Sequence, residues 1–268
     1  MSWHIKDFVH HWKYYLPPAR ASPSDLRFIK KKILEKGKGV KVLILGSTPE
    51  YRNLCGELNI PVTLLDFSRY NYDYLTAEVK NMPKEIFHEG DWLTTVLQKK
   101  FDIVLGDNII NVCKKENLHV LLTNIAKMLK LDGFFMPRVY VREKGESYTG
   151  EKVIKEYKEK RKGQTFYEGT IRNMYLAAYN LKKDMLHLHD VWILVEDLHK
   201  KRIFNDKELQ CYKRMCLKDN TFQFFIPLRE ALEKSFSTIF EIQEVFHGTE
   251  PFLQDKLPLY TLARKESK

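Results

Sequence analysis

The residues whose types and spacing can do chemistry fall in four short polar stretches. The first is Leu45-Gly46-Ser47-Thr48-Pro49-Glu50, directly after an apolar run. A glycine there lets the backbone turn tightly against a ligand, and a following helix would offer free N–H groups and a positive dipole. The second is Asp66-Phe67-Ser68, with the carboxylate 20 residues after Gly46. An acid at the end of the next strand can accept hydrogen bonds from both hydroxyls of a ribose and disfavours a 2′-phosphate. The third is Glu89-Gly90-Asp91-Trp92, where Asp91 can bond an adenine amino group with Trp92 beside the ring. The fourth is Gly106-Asp107-Asn108-Ile109-Ile110-Asn111, placed to meet the reacting part of a ligand. Each stretch alone also suits an ordinary turn or helix cap; four in succession point to a nucleoside-like ligand.

Such residues need elements that bring them to one edge. VKVLILGS (40–47), VTLLDFS (62–68), Ile86–His88, FDIVLGDN (101–108) and GFFMPRVYVRE (133–143) read as five strands, the longer ones apolar and β-branched enough to be buried on both faces. Helices are expected from Pro23 to about Lys36, around Glu50–Leu58 and near Leu118–Leu129, the last stopped by Leu131-Asp132-Gly133. Ser22 caps the first of these, with Pro23 at its first position and Asp25 at its positive end. Residues 150–218 read as helices rich in lysine and aromatics, with Asn205 to Glu208 as a cap. A helix near Pro227–Ser235 and two closing strands, 239–248 and 257–265, follow. The fold class is therefore α/β: a doubly wound, mostly parallel seven-stranded sheet with a helical insertion between strands five and six. Four regions are expected: an N-terminal aromatic helix or lid (1–20), a ligand-binding α/β core (21–149), a helical substrate cap (150–226) and the closing helix and strands of the core (227–268).

Bulk properties narrow the classes. The 268 residues, 44% hydrophobic, suit one large domain or one domain with an insertion. No apolar stretch of about 18 residues suggests a membrane span, and MSWHIKDFVHHWKYY does not read as a signal peptide. Cys55, Cys113, Cys211 and Cys216 form no CxxC pair and read as free thiols, which suits the cytoplasm. The net charge of +10 is spread over lysines mixed with glutamates, which reads as solvated helix faces before it reads as a nucleic-acid surface. His187-Leu188-His189-Asp190 is expected on a helix, where residues two apart diverge, so no metal site is expected. The stripe Met174, Leu181, Met185, Leu188, Trp192 and Val195 has helical spacing and reads as packing.

In this order the four stretches resemble class I S-adenosylmethionine-dependent methyltransferases. They look like a bacterial-type group with a G-x-T-P-E-x-R first loop, here Gly46 to Arg52, and a second strand ending V-T-x-x-D-F-S, here Val62 to Ser68. Gly90-Asp91-Trp92, Phe101 to Asp107 and Leu129 to Phe135 continue the likeness, although most of the superfamily has two or three glycines where this first loop has one. The resemblance implies S-adenosylmethionine as cofactor, held by Gly46, Ser47, Thr48, Pro49, Asp66, Phe67, Ser68, Gly90, Asp91, Trp92, Asp107 and Asn108. It implies that the first loop holds the methionine part, Asp66 the ribose and Asp91 the adenine region. Methyl transfer from a sulfonium is an in-line displacement and needs no universal catalytic residue; His88, Asp107 and Asn111 are the candidates for a base. Trp12, Tyr15, Tyr175 and Tyr179 are the candidates for contact with the acceptor. The expected acceptor is a small molecule; a nucleic-acid acceptor, or a non-catalytic protein that keeps the fold and binds a partner, are the alternatives. A nicotinamide-dependent reductase is disfavoured because GxGxxG is missing.

Overall fold

The computed structural model describes residues 12–160, 163–214, 218, 220–250 and 256–265. The first eleven residues of the expected N-terminal helix, and Cys216, lie outside them. The chain divides into two compact units: Arg20–Val141 with Pro227–Lys268, and Met1–Ala19 with Arg142–Ile226.

The first unit is built on strands β1 (Val42–Leu45), β2 (Val62–Asp66), β3 (Glu85–Glu89), β4 (Phe101–Asp107), β5 (Leu129–Arg138), β8 (Phe240–Phe246) and β9 (Leu259–Arg264). They form one seven-stranded sheet in the order β3-β2-β1-β4-β5-β9-β8, parallel except for β9, which runs antiparallel to both neighbours. Each of the inner strands alternates its side chains between two apolar layers. Leu43, Leu45, Val104 and Phe135 meet helices α5 (Leu118–Met128) and α10 (Arg229–Phe236) on one face. Val42, Ile44, Ile103 and Leu105 meet α1 (Pro23–Glu35) and α2 (Pro49–Glu57) on the other. Helices on both faces explain why β1 and β2 are apolar at nearly every position. The strand run-outs therefore share one edge, at the carboxyl ends of β1 to β5. Two short helices lie at that edge, α3 (Arg69–Thr76) after β2 and α4 (Ile109–Val112) after β4.

Helix α1 starts as its sequence predicts: Ser22 and Asp25 form a capping box, with Pro23 at the first position. The expected stop at Leu131-Asp132-Gly133 is corrected. β5 begins at Leu129, immediately after α5, and Leu131 is 75% exposed on the strand. Pairing with β4 starts at Phe101↔Leu129 and then shifts register. Gly133 sits in this irregular stretch, where a Cβ would come within 2.9 Å of the Phe101 carbonyl oxygen, so a side chain is excluded. Between β3 and β4 there is no helix; Leu93, Val96 and Leu97 pack on the sheet from an irregular segment tied by the Asn124 amide to the Trp92 and Leu93 carbonyls.

The second unit carries α6 (Gly150–Lys160), α7 (Phe166–Ala177), α8 (Leu188–Lys200) and α9 (Asp206–Lys213), and a two-stranded antiparallel pair, β6 (Leu186–His187) with β7 (Gln223–Phe224). Capping boxes at Thr165/Glu168 and Asn205/Glu208 start α7 and α9. Rings of Tyr157, Phe166, Phe204 and Tyr212 stack edge to face or tilted at the centre. The single helical stripe expected from Met174 to Val195 is corrected: Met174 belongs to α7, Leu188, Trp192 and Val195 to α8, and Leu181 is 69% exposed in the turn between. His187 also leaves the helix, since it ends β6 and caps α8, while the His189 ring meets the Lys218 carbonyl. Residues 12–14 form one 3-10 turn. No helix among the described residues is long and apolar enough to cross a membrane.

Candidate functional site

The strand ends are joined by hydrogen bonds that fix the loops before any ligand arrives. At the end of β1, Gly46 has φ +91°, a conformation that favours glycine, and its N–H donates to the Leu65 carbonyl at 2.9 Å. The Ser47 hydroxyl donates to Asp66 Oδ2 at 2.6 Å, so the first and second loops are linked through the candidate ribose carboxylate. The Ser68 N–H reaches Asp66 Oδ1 at 3.2 Å. Asp66 is only 3% exposed, and burial pushes its carboxyl up to about 6 against the opposing pull of Ser47 and the Ser68 and Phe67 N–H groups. Three bonds on a carboxylate, which offers about four lone-pair sites, leave room for a further donor.

The third loop closes on the second. The Gly90 N–H donates to the Asp66 carbonyl at 2.9 Å, and a Cβ at Gly90 would meet the Thr95 hydroxyl at 2.5 Å. Asp91 turns its own loop by accepting the Leu93 N–H on Oδ1 at 2.9 Å. Trp92, expected beside a nucleobase, is held by the scaffold. Its indole N–H donates to the Leu65 carbonyl at 2.7 Å, its ring lies edge-on to Phe67, and a Cβ at Gly46 would be 3.8 Å from it. It braces the first two loops.

The fourth loop carries the densest electrostatics. Arg138, at the end of β5, is fully buried and grips Asp107 with Nε on Oδ1 at 2.8 Å and Nη2 on Oδ2 at 3.2 Å. Asp25 Oδ2 lies 3.9 Å from the same guanidinium. Burial raises the Asp25 carboxyl, with Arg138 opposing, whereas Arg138 itself is held above the usual arginine range by Asp107 and Asp25 despite its burial. Asp107 is thus an ion-pair partner with both oxygens engaged, which ill suits a free base. Asn108 stands at φ 55°, and its Nδ2 donates to Asp107 Oδ1 at 2.9 Å. Asn111 is fully buried and clamps the Tyr140 backbone, donating to its carbonyl at 2.7 Å and accepting its N–H at 2.9 Å. That bond pair makes Asn111 a scaffold residue. His88 is exposed on β3, opposite Leu65.

Thr48 and Pro49 are buried at the start of α2, with Pro49 in its first turn. Beside them Glu50 pairs with Arg20, and burial raises its carboxyl. Four acceptor oxygens buried at this edge have no hydrogen-bond partner, Asp25 Oδ1, Glu50 Oε2, Asn71 Oδ1 and Asn108 Oδ1, and neither has the Tyr51 hydroxyl, which can donate or accept. Buried acceptors left unmade are costly, so their natural complement is a ligand that brings donors. The carboxyl groups of Asp25, Glu50, Asp66 and Asp107, set against two guanidinium groups, also favour positive charge there. A ligand that brings hydrogen-bond donors and positive charge would meet these carboxyl groups and free acceptors.

Sequence reasoning did not single out Arg138 and Arg20, and named Glu50 only as part of the first loop. The signal for Arg138 was legible: one arginine within Phe134-Phe135-Met136-Pro137-Arg138-Val139 must find carboxylate partners if the strand is buried. Arg52, in the first-loop motif, serves the scaffold: it grips Glu85 through Nε at 2.7 Å and Nη2 at 2.8 Å. Of the acceptor candidates, Trp12, Tyr15, Tyr175 and Tyr179 are all buried. The Tyr179 hydroxyl donates to Asp184 at 2.8 Å and accepts the Ile226 N–H at 3.3 Å, within its own unit. The thiols of Cys55 and Cys113 are free and pushed up to about 12 by burial, which removes them as nucleophiles.

No protein-family model matches the chain, and no curated protein sequence matches it. Solved structures do resemble it. A protein from Rhodobacter sphaeroides named as a zinc-dependent alcohol dehydrogenase superimposes with a TM-score of 0.57 at 16% identity, over 97% of this chain and 98% of that one. The glycopeptide N-methyltransferase MtfA in complex with S-adenosyl-L-homocysteine gives 0.55 at 14%, over 90% and 89%. A TehB-like S-adenosylmethionine-dependent methyltransferase from Corynebacterium glutamicum gives 0.50 at 12%, over 98% of each chain. At these identities the likeness speaks for fold alone. Nicotinamide-binding sheets run 3-2-1-4-5-6 in their usual form, whereas here the last strand turns antiparallel and slips between β5 and β8. With its helical insertion between the fifth and sixth strands of the main sheet, the chain has the Rossmann-like methyltransferase fold.

Proposed function

We propose that the protein is an S-adenosylmethionine-dependent methyltransferase acting on a small-molecule acceptor. The observation that carries this reading is the pairing of that fold with a strand-end edge where several buried acceptor oxygens lack a partner and where the ionisable groups are mainly carboxyls. Bound there, S-adenosylmethionine would supply a methyl group activated on a sulfonium. Asp66, oriented by Ser47, would accept the ribose hydroxyls. Glu50 Oε2 offers its free acceptor to the ammonium of the amino-acid moiety, with Gly46 allowing close approach of the first loop. Asp91 retains an oxygen for the adenine region. Asn108 Oδ1 and the Arg138-braced Asp107 would hold the sulfonium side of the site and orient the acceptor, while water is excluded.

A carboxyl-lined edge repels a polyanionic backbone, which supports a small acceptor over a nucleic acid. The name of MtfA, a glycopeptide N-methyltransferase, is consistent with that class. Trp12, Tyr15, Tyr175 and Tyr179 remain the candidates for acceptor contact, and all four are buried within the unit formed by residues 12–19 and 142–226. Calorimetry and melting tests decide the cofactor: S-adenosylhomocysteine binds and raises the melting temperature, and NAD does neither. Failure of the folded protein to bind any adenosyl ligand overturns the reading. Incubation with methyl-labelled cofactor and a cell extract, followed by fractionation, identifies the acceptor.

A further inference from the structure

We propose that the amino edge of the sheet, opposite the candidate cofactor loops, holds a second binding site for a small amphipathic organic anion. A cavity of about 680 Å³ opens there, within the roughly 300–1,000 Å³ typical of small-ligand pockets. Its walls are the residues that enter β1 to β4, together with the turn between α1 and β1. Leu58, Ile60 and Phe101 supply apolar lining. Leu34 and Ile86 also line it, although they are 59% and 51% exposed, an unusual position for two large aliphatic side chains beside one opening.

The charge around this lining has one sign. Lys38, Lys41, Lys84 and Lys99 all line the cavity, and no aspartate or glutamate does. The neighbouring carboxylates are committed elsewhere: Glu35 to Lys31 and Lys32, Asp102 to Lys130, and Glu85 to Arg52. Among the described residues none of the four lysines has a carboxylate within ion-pair range. The backbone that carries them is well fixed, with the Val62 N–H on the Lys84 carbonyl and the Asp102 N–H on the Lys41 carbonyl, each at 2.9 Å. An apolar hollow with unneutralised ammonium groups on short, tethered segments is the complement of a molecule with an apolar body and a carboxylate, sulfonate or phosphate end. A concave pocket of this volume takes such a molecule whole.

The test uses 1-anilinonaphthalene-8-sulfonate as fluorescent probe, dodecanoate and dodecyltrimethylammonium as competitors, and the full chain. We expect saturable binding at one site, displaced by dodecanoate and not by the cation of equal chain length. Charge reversal with Lys41→Glu and Lys84→Glu together should weaken the probe at least tenfold, while Lys41→Arg with Lys84→Arg retains it. Both pairs are exposed, so the melting temperature serves as the control for folding. S-adenosylhomocysteine should leave the probe in place. Absence of saturable binding, equal affinity in the charge-reversed variant, or displacement by S-adenosylhomocysteine or the cationic amphiphile overturns the proposal.

Discussion

At the carboxyl edge of the sheet the unsatisfied groups are mostly acceptors, and most of the charges are buried; at the amino edge they are exposed ammonium groups around apolar side chains. Both edges belong to the same strands, so the difference comes from what the chain places just after and just before each one. At or just after the ends of β1, β2 and β4 it places Glu50, Asp66 and Asp107; before β1, β3 and β4 it places Lys41, Lys84 and Lys99. The carboxyl edge stores its charge in a desolvated network that must be matched atom by atom. The amino edge carries charge in water, where it attracts at little structural cost. The overall +10 therefore conceals a negative centre at the proposed reaction edge.

The comparison breaks most visibly at Arg138. Arg138→Met strands Asp107 and Asp25 without their buried cation and should cost about 3–5 kcal/mol in urea unfolding. Adding Asp107→Asn should restore part of that loss. Lys41→Glu with Lys84→Glu, at the other edge, should stay within about 0.5 kcal/mol of wild type for each change. If Arg138→Met unfolds at the wild-type urea concentration, the buried network has no energetic weight. Next in size is Asp66→Ala, which leaves ribose hydroxyls without their acceptor and should weaken S-adenosylhomocysteine by roughly 1–3 kcal/mol in calorimetry. Unchanged affinity removes Asp66 from the site.

How much of this was legible follows from where the partners lie. β1, β2 and β4 were readable because each is an apolar run closed by a polar loop, a local pattern set by burial on both faces. The place of Asp66 at the end of β2 was readable from the apolar run that precedes it. The start of α1 was readable from Ser22, Pro23 and Asp25, all within one turn. Asp25's second role was not, because its partner Arg138 is more than a hundred residues away and only the sheet brings them together. The start of β5 was missed for a similar reason: Leu131-Asp132-Gly133 has turn composition, yet pairing of Leu129 with Phe101 draws it into a strand with irregular register. The bracing role of Trp92 is not legible locally, because the Leu65 carbonyl that holds it cannot be seen from the sequence around it.

A smaller effect separates the edges by pH. The Asp66 carboxyl is raised to about 6 in the fold from an ordinary value of 3.8. The fold therefore binds this proton more tightly than the unfolded chain does. The associated stability is present below 3.8 and is lost as pH rises through about 6. Ligand binding has the opposite sign, because ribose hydroxyls favour the ionised acceptor. S-adenosylhomocysteine affinity should fall below pH 6, approaching about tenfold per pH unit if Asp66 alone governs it. Asp66→Asn should flatten the profile between pH 5 and 7. A slope that survives this substitution assigns the titration to another group, with Glu50 and Asp25 as the raised carboxyls nearby.

The weakest expected effect concerns nucleic acid, and it sharpens the choice of acceptor. Many surface lysines are matched on their own helices, as in Lys31–Glu35, Lys155–Glu159 and Lys201–Asp197, so they present alternating rather than continuous charge. The unmatched lysines at the amino edge give only a diffuse attraction. RNA and DNA should accordingly bind without sequence preference, with dissociation constants on the order of 10⁻⁴ to 10⁻⁶ M at physiological salt and a steep loss as salt rises. Charge reversal at Lys41 and Lys84 should shrink the salt slope, since fewer phosphate counterions are displaced. Fluorescence anisotropy across a salt series measures both. One structured RNA held tightly and independently of salt would demand a matched surface that these lysines do not form, and would move the proposed acceptor from a small molecule to RNA.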